Sequence, residues 1–289
     1  MVILGPFAFT KYWQEWNNWL KSYELVERKP PITVGIVGKY TELPDSYLSI
    51  SKSIVHAATF LEQRANIKLI EATKLEGESG LDLLKDCHAL VIAGGHGSRG
   101  VLGKILACNY ARLNNVPLLG ICYGFQLAVV EWCRNVMGLA DSHTTEVNTE
   151  TTNPVVILMP EGSKTHFGGT MRLGSRVTAL IPSILSTLYQ KYRPLEVHSR
   201  ADGIKEVKER HRHRYEVNPE YIQRIESAEA DNNQRLKFVG KDLKGERMQA
   251  LVLEGHCYFV GVQYHPEFKS RTLHPSPCFI GLLQAAIHR

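Results

Sequence analysis

The stretch Val116-Pro-Leu-Leu-Gly-Ile-Cys-Tyr-Gly-Phe-Gln126 decides how the rest of the chain is read. A short apolar run ends in Gly120-Ile-Cys-Tyr-Gly124, and apolar residues at helical spacing follow at once: Leu127, Val130, Cys133 and Met137. A strand that turns sharply into a helix, with a glycine two residues before and after the turn residue, is the nucleophile elbow in its thiol form. Cys122 then stands at a helix N-terminus, where backbone N–H groups and the helix dipole favour the thiolate. A cysteine without such a context is more often a small buried hydrophobe. That is the reading for Cys87, Cys108, Cys133, Cys257 and Cys278, which lie singly in or beside apolar segments.

Upstream of the elbow, strands and helices alternate. Ile32–Gly38 is a continuous β-branched run of the kind buried on both faces of a sheet. Pro44-Asp-Ser46 opens a helix expected to run to about Arg64, and Ile67–Glu71 is the next strand. A helical Leu81–Asp86, a strand His88–Ala93, the loop Gly94-Gly-His-Gly-Ser-Arg-Gly100 and a helix near Leu102–Asn114 return the chain to Val116. The alternation predicts an α/β fold with a parallel sheet and helices on both faces. In such a sheet ligands sit at the carboxyl ends of the strands, where the glycine loop and the elbow both emerge. Backbone N–H groups of the loop and of Tyr123 are therefore placed to converge on one oxyanion. The loop lacks the Lys-Ser/Thr of a P-loop and the spacing of a dinucleotide fingerprint, so a nucleotide site is not expected there.

Downstream the regularity falls. Residues 139–176 read as loops with short strands, including Asn153–Met159 and Gly168–Gly174, and Ile184–Tyr192 reads as a helix. Leu236–Gly240, Ala250–Glu254 and Cys257–Val262 read as antiparallel strands, and a helix from about Phe279 closes the chain. Between them lies His265-Pro-Glu267. A thiolate that attacks an amide needs a base to carry a proton and an acceptor to orient the base. His265 and Glu267, two apart on an extended segment, can face the same side.

The totals fit this picture. With 289 residues, 44% hydrophobic and 22% charged, the chain has the composition of a folded globular protein rather than a disordered one. No apolar run approaches the roughly 18 residues of a membrane span, and Met1–Phe9 is apolar without the basic start of a signal peptide. Six cysteines without a CxxC pair suit a reducing, cytoplasmic setting. The net charge of +5 owes much to Lys208-Glu-Arg-His-Arg-His-Arg214. No aromatic-studded basic surface accompanies that run, so neither a nucleic-acid nor a membrane partner is expected. Trp13, Trp16, Trp19, Leu20 and Tyr23 fall at helical spacing and make either a helix on the domain's own surface or a docking helix. Lys29-Pro-Pro31 ends that segment, which divides the chain into a linker-like helix at 1–31 and a domain at 32–289.

A cysteine elbow followed far downstream by His-Pro-Glu resembles the class I, triad-type glutamine amidotransferases, and within them the glutaminase domain of CTP synthases. Gly35-Ile-Val-Gly-Lys-Tyr40, Glu42-Leu-Pro-Asp-Ser-Tyr47, Gly168–Gly174, Glu209–Asn218 and Val262-Gln-Tyr-His-Pro-Glu-Phe268 are similar to segments of that domain, so the likeness covers about residues 32–288. It implies a three-layer fold, a central mostly parallel sheet flanked by helices with a small antiparallel extension. It also implies roles. Cys122 is the nucleophile, His265 the general base and acid, and Glu267 its orienting carboxylate. The N–H groups of Gly95 and Tyr123 form the oxyanion hole. Gln126 and Glu146 hold the amino end of glutamine, Arg214 grips its α-carboxylate, and no metal or other cofactor is expected. A zwitterionic amino acid needs one anion and one cation fixed at the right separation, which agrees.

The implied reaction is hydrolysis of the γ-carboxamide of glutamine, or of a related γ-glutamyl or ω-amide compound, through a thioester. The alternative is a non-catalytic, CTP synthase-related binding or regulatory module. Partners expected besides the small-molecule substrate are a CTP synthase-like synthetase or a second copy of the chain. Some positions depart from the pattern. The family's Cys-Leu-Gly-Met-Gln is Cys122-Tyr-Gly-Phe-Gln126 here, its Gly-Gly-Phe-Gly carries His96, and Leu102 replaces a glutamate linked to GTP activation. His96 makes one wall of the pocket polar and titratable. With no P-loop in the 289 residues, the chain is not expected to make CTP unaided. The distinctive N-terminus and the altered pocket favour a free-standing relative over an excised domain.

Overall fold

Counted along the chain, the first half runs α1 (Pro6–Val26), β1 (Pro31–Gly38), α2 (Leu48–Phe60), β2 (Arg64–Glu71), β3 (Ala89–Ile92), α3 (Val101–Leu113), β4 (Leu118–Ile121) and α4 (Tyr123–Asn135). The second half runs β5 (Ser142–Thr144), β6 (Asn153–Leu158), β7 (Arg172–Leu180), α5 (Ile184–Tyr192), β8 (Val197–Ser199), β9 (Lys205–His213), β10 (Tyr215–Val217), α6 (Ile222–Ser227), β11 (Arg235–Lys241), β12 (Met248–Glu254), β13 (Phe259–Val262) and α7 (Pro277–Ile287). The computed structural model describes residues 6–160 and 171–289, with side chains from residue 12.

A ten-stranded sheet in the order β2-β1-β3-β4-β13-β12-β11-β7-β9-β8 forms the middle layer. From β2 to β13 every neighbour is parallel. From β13 to β8 every neighbour is antiparallel. Successive strand residues alternate between the two faces. Leu90 and Ile92 join α3 and α4 in one buried cluster, while Ala89 and Val91 join α2, α5 and α7 in another. This makes the α/β three-layer fold read from the sequence, with a parallel half that continues into an antiparallel one. A second sheet, β10-β6-β5, sits beside the end of α4.

Several expected elements shift. The helix expected from Pro44 to about Arg64 is a 3-10 turn, Pro44–Tyr47, followed by α2. It stops at Phe60 because Glu62 takes a left-handed backbone, φ +54°, which no helix continues. That frees Arg64 to begin β2, three residues earlier than Ile67. Leu81–Asp86 is only a 3-10 turn, Gly80–Leu84. The strand read at Cys257–Val262 is β13, antiparallel to β12 but parallel to β4, so it joins the two halves of the sheet. Of the strand read at Gly168–Gly174, residues 168–170 lie outside the described residues and β7 begins at Arg172. The basic run Lys208–Arg214 lies mostly within β9 and leads into β10 at Tyr215.

On α1, Tyr12, Trp16, Trp19 and Tyr23 form a ladder with ring centroids 6.5, 5.7 and 5.3 Å apart. Trp19 and Phe60 of α2 line one shallow groove, so the helix lies against the domain, while Trp13 remains 62% exposed. No described helix is long and apolar enough to cross a membrane.

Candidate active site

The elbow forms where β4 ends. Cys122 has φ +52° and ψ −99°, a conformation that a side chain with a Cβ adopts only when its surroundings enforce it. Those surroundings are tight. A Cβ on Gly124 would stand 2.1 Å from the carbonyl oxygen of Ile92, so α4 reaches β3 only because that residue is glycine. Behind the elbow, Arg112 of α3 and Glu131 of α4 make a buried ion pair with contacts of 2.9 to 3.2 Å. Removing one partner of such a pair leaves a bare buried charge and costs about 3–5 kcal/mol, so the pair fixes α4 against α3.

The Cys122 N–H donates to Val262 O at 2.7 Å, which extends the parallel pairing of β4 and β13 by one bond. Beyond β13 the chain turns through Pro266–Phe268. There His265 Nδ1 lies 2.7 Å from Glu267 Oε1, and its ring stacks on Phe268 at 4.9 Å. Both side chains are nearly buried. Burial works against the imidazolium, but Cys122 and Glu267 outweigh it and hold His265 above the ordinary histidine range. A Cβ on Gly94 would fall 3.2 Å from His265 Cε1 and 3.7 Å from Cys122 Cβ, so the glycine loop passes directly over both. Thiol, imidazole and carboxylate are thus brought together in the order the sequence suggested. The thiol also donates weakly to Arg212 O at 3.7 Å.

A cleft of about 440 Å³ opens in front of Cys122, and it is lined by Gly95, His96, Gln126, Glu146, Arg214 and His265 among others. All the residues singled out from the sequence therefore meet here except Glu267, which stands behind His265, and Tyr123, which lies under the loop. Gly95 has φ +155°. Tyr123 is buried, and its hydroxyl donates to Gly97 O at 2.9 Å. His96 is exposed at the rim. Glu146 Oε1 accepts the Gly97 N–H at 2.8 Å. Gln126 Nε2 donates to Tyr215 O at 2.9 Å and to Gln263 Oε1 at 3.1 Å, which leaves its carbonyl oxygen as the group it can offer a ligand. Arg214 stands where the chain passes from β9 to β10, that is, from the large sheet to the small one.

The site contains further groups that sequence reasoning missed. Gln263 is fully buried and its Nε2 reaches Cys122 Sγ at 3.7 Å. On β9 the residues alternate strictly: Lys208, Arg210 and Arg212 face out, while Glu209, His211 and His213 are buried. His211 Nδ1 meets His213 Nε2 at 3.2 Å, and His213 Nδ1 meets Tyr215 O at 3.0 Å. Burial, aided by His213 and Arg172, pushes His211 down to about 2, and burial pushes His213 down to about 3. Both rings are therefore neutral. The signal was present as a period of two in charge rather than in hydrophobicity. Lys104 was missed as well, although it falls on the apolar stripe of α3 with Val101, Ile105 and Cys108, all buried.

Residues 42–285 match the family model described as glutamine amidotransferase class-I. Over 292 residues the chain is 43% identical to the CTP synthase of Drosophila melanogaster, covering 97% of this chain and 43% of that protein. Over 299 residues it is 42% identical to the CTP synthase of Dictyostelium discoideum, covering 99% of this chain and 50% of that one. The chain thus spans half or less of the length of these relatives. Among solved structures, the CTPS glutaminase domain of Trypanosoma brucei with bound acivicin superposes with a TM-score of 0.77 at 31% identity, covering 89% of this chain and 94% of that one.

Proposed function

Because this chain belongs to the class I glutamine amidotransferase family, we propose that its cleft hydrolyses the γ-carboxamide of L-glutamine, or of a closely related γ-glutamyl or ω-amide compound, releasing ammonia. The observation that carries the reading is the strained Cys122 at a helix N-terminus with His265, bonded to Glu267 at 2.7 Å, just beyond the adjoining strand β13.

Cys122 attacks the amide carbon as its thiolate, while the proton resides on His265. The carbonyl oxygen becomes an oxyanion that takes the N–H groups of Gly95 and Tyr123, a contact of this kind being worth about 10²–10³ in rate. His265 passes its proton to the departing nitrogen, the C–N bond breaks and ammonia leaves a γ-glutamyl thioester. Water then gives a proton to His265 and adds to the thioester, and the tetrahedral adduct collapses to expel Cys122 and yield glutamate. Glu267 keeps Nδ1 of His265 occupied, so that Nε2 is the nitrogen that exchanges protons.

At the far end of the cleft, Glu146 and the carbonyl oxygen of Gln126 suit an α-ammonium, and Arg214 suits an α-carboxylate. His96, exposed at the rim, shapes the entrance, where a side chain larger than that of glutamine would have to pass.

Ammonia release from glutamine by the wild type and by Cys122→Ala tests the reading. Release that Cys122→Ala lowers by at least about 10³-fold is expected, together with a single covalent adduct of an electrophilic glutamine analogue on Cys122 by intact mass. Equal release from both proteins, or from neither, would overturn it.

A further inference from the structure

Beneath the glycine loop lie two lysines for which the described residues supply no carboxylate partner. Lys104 is 1% exposed, and its ammonium donates to Ala93 O at 2.6 Å and to Gly94 O at 3.3 Å. It also sits 5.6 Å from the centre of the Tyr123 ring, whose hydroxyl in turn holds Gly97 O. Lys39, at the end of β1 and 6% exposed, donates to His96 O. The carbonyls of residues 93, 94, 96 and 97 are thus each held by a donor. A buried ammonium without an acidic partner is costly, and such perturbed groups cluster at functional sites.

The consequence for Gly95 follows from the planarity of the peptide unit. No cis peptide bond occurs in the described chain, so the C=O of Gly94 and the N–H of Gly95 point in opposite directions. With the Gly94 oxygen drawn down to Lys104, the Gly95 N–H is turned away from the buried lysine, toward the open side of the loop where Gly95 lines the cleft. Gly95 has φ +155°, and a Cβ there would meet Lys104 Nζ at 3.6 Å, Lys39 Cε at 3.8 Å and Tyr123 Cδ1 at 3.9 Å, all ordinary contacts, so nothing in the glycine itself would keep that peptide from rotating and presenting an oxygen to the cleft instead.

We propose that Lys104, assisted by Lys39, is a positioning residue that locks the Gly94–Gly95 peptide with its N–H available as an oxyanion donor. This rests on the amide-hydrolysis reading of the same cleft. Because the contact acts on charge that develops only in the transition state, its loss lowers kcat and leaves KM nearly unchanged. A wild-type readout accompanies it. Burial and Lys39 pull Lys104 down to about 8, opposed by Cys122, Cys108 and Glu71. Above that pH the ammonium becomes a neutral amine and the hold on the loop weakens, so kcat should have a descending limb near pH 8.

Lys104→Met keeps the length of the side chain and removes the charge. Expected are a kcat lower by about 100-fold, a KM for glutamine within about threefold of wild type, and alkylation of Cys122 by iodoacetamide, which needs no oxyanion donor, within about threefold. The descending limb should be missing, and a crystal structure should show the Gly94–Gly95 peptide rotated. Lys39→Met should lower kcat by about tenfold. A kcat within threefold of wild type, or an unrotated peptide in Lys104→Met, overturns the proposal. If Lys104→Met does not fold, Lys39→Met and the wild-type pH profile decide it, and a wild-type kcat flat between pH 7 and 9 counts against it. If the wild type releases no ammonia, the functional reading falls, and the peptide orientation in the variant crystal still decides whether the lysines hold the loop.

Discussion

One wall of the cleft is assembled from three contiguous motifs at the carboxyl ends of β3, β4 and β13: the glycine loop, the elbow and His265-Pro-Glu267. The facing wall, Arg212 to Tyr215, comes from an antiparallel strand and the step between two sheets, and its backbone contributes as much as its side chains. In the first wall, short turns impose backbone conformations at single residues, and a shift of one residue would destroy the chemistry. In the second, side-chain identity alternates along a strand whose position is set by register, so individual residues can change without moving the thiol. On the proposed function, the reaction and the recognition of substrate are carried by different kinds of structure, one strained and local, the other regular and long-range.

The largest effect should come from breaking the first wall. His265→Ala should lower kcat by about 10³–10⁴-fold with KM within threefold, measured as ammonia release, and a change confined to KM would erase the distinction between the walls. Next comes the second wall. Arg214→Ala should raise KM for glutamine by about 10–100-fold while kcat stays within threefold. A kcat loss as large as that of His265→Ala would show that this wall takes part in the chemistry.

The smallest effect concerns stability alone. His211 and His213 are depressed in the folded state to about 2 and about 3, whereas an unfolded chain protonates them near 6.5. Below pH 6.5 the unfolded state binds the extra protons, so the stability they confer is complete above that pH and is lost as the pH falls toward the folded values. Each histidine should cost about 1 kcal/mol per pH unit below 6.5. Urea midpoints at pH 7, 6 and 5.5 should therefore fall for the wild type and fall less steeply for His211→Phe, and parallel slopes would show that the buried pair is not what titrates.

The same division governs what could be read from the sequence. The parallel half was legible because β1, β3 and β4 are apolar runs with glycine at or near their ends and its helices carry an apolar stripe, and the elbow and His265-Pro-Glu267 announce themselves in a few residues each. β9 was not, because past Val207 its inward positions are Glu209, His211 and His213 rather than apolar residues, so its period of two appeared only as a run of charges. The pairing of β13 with β4 was hidden for another reason: Phe259–Val262 is equally apolar whichever neighbour it takes, and only the assembled sheet makes that choice. Lys104 escaped notice because a lysine on a buried helical stripe reads as an interruption of the stripe until its acceptors, 10 and 11 residues away, are in view.

Cys122 stands one residue past the end of β4 and His265 three residues past the end of β13, the strand that pairs with β4 in parallel, so the pairing of those two strands gauges how far apart the two segments stand. Insertions, new chain ends or exchanged surface segments elsewhere should leave that gauge untouched. On the proposed function, lineages and engineers alike can then rewrite what enters the cleft without having to reinvent the step that cleaves it.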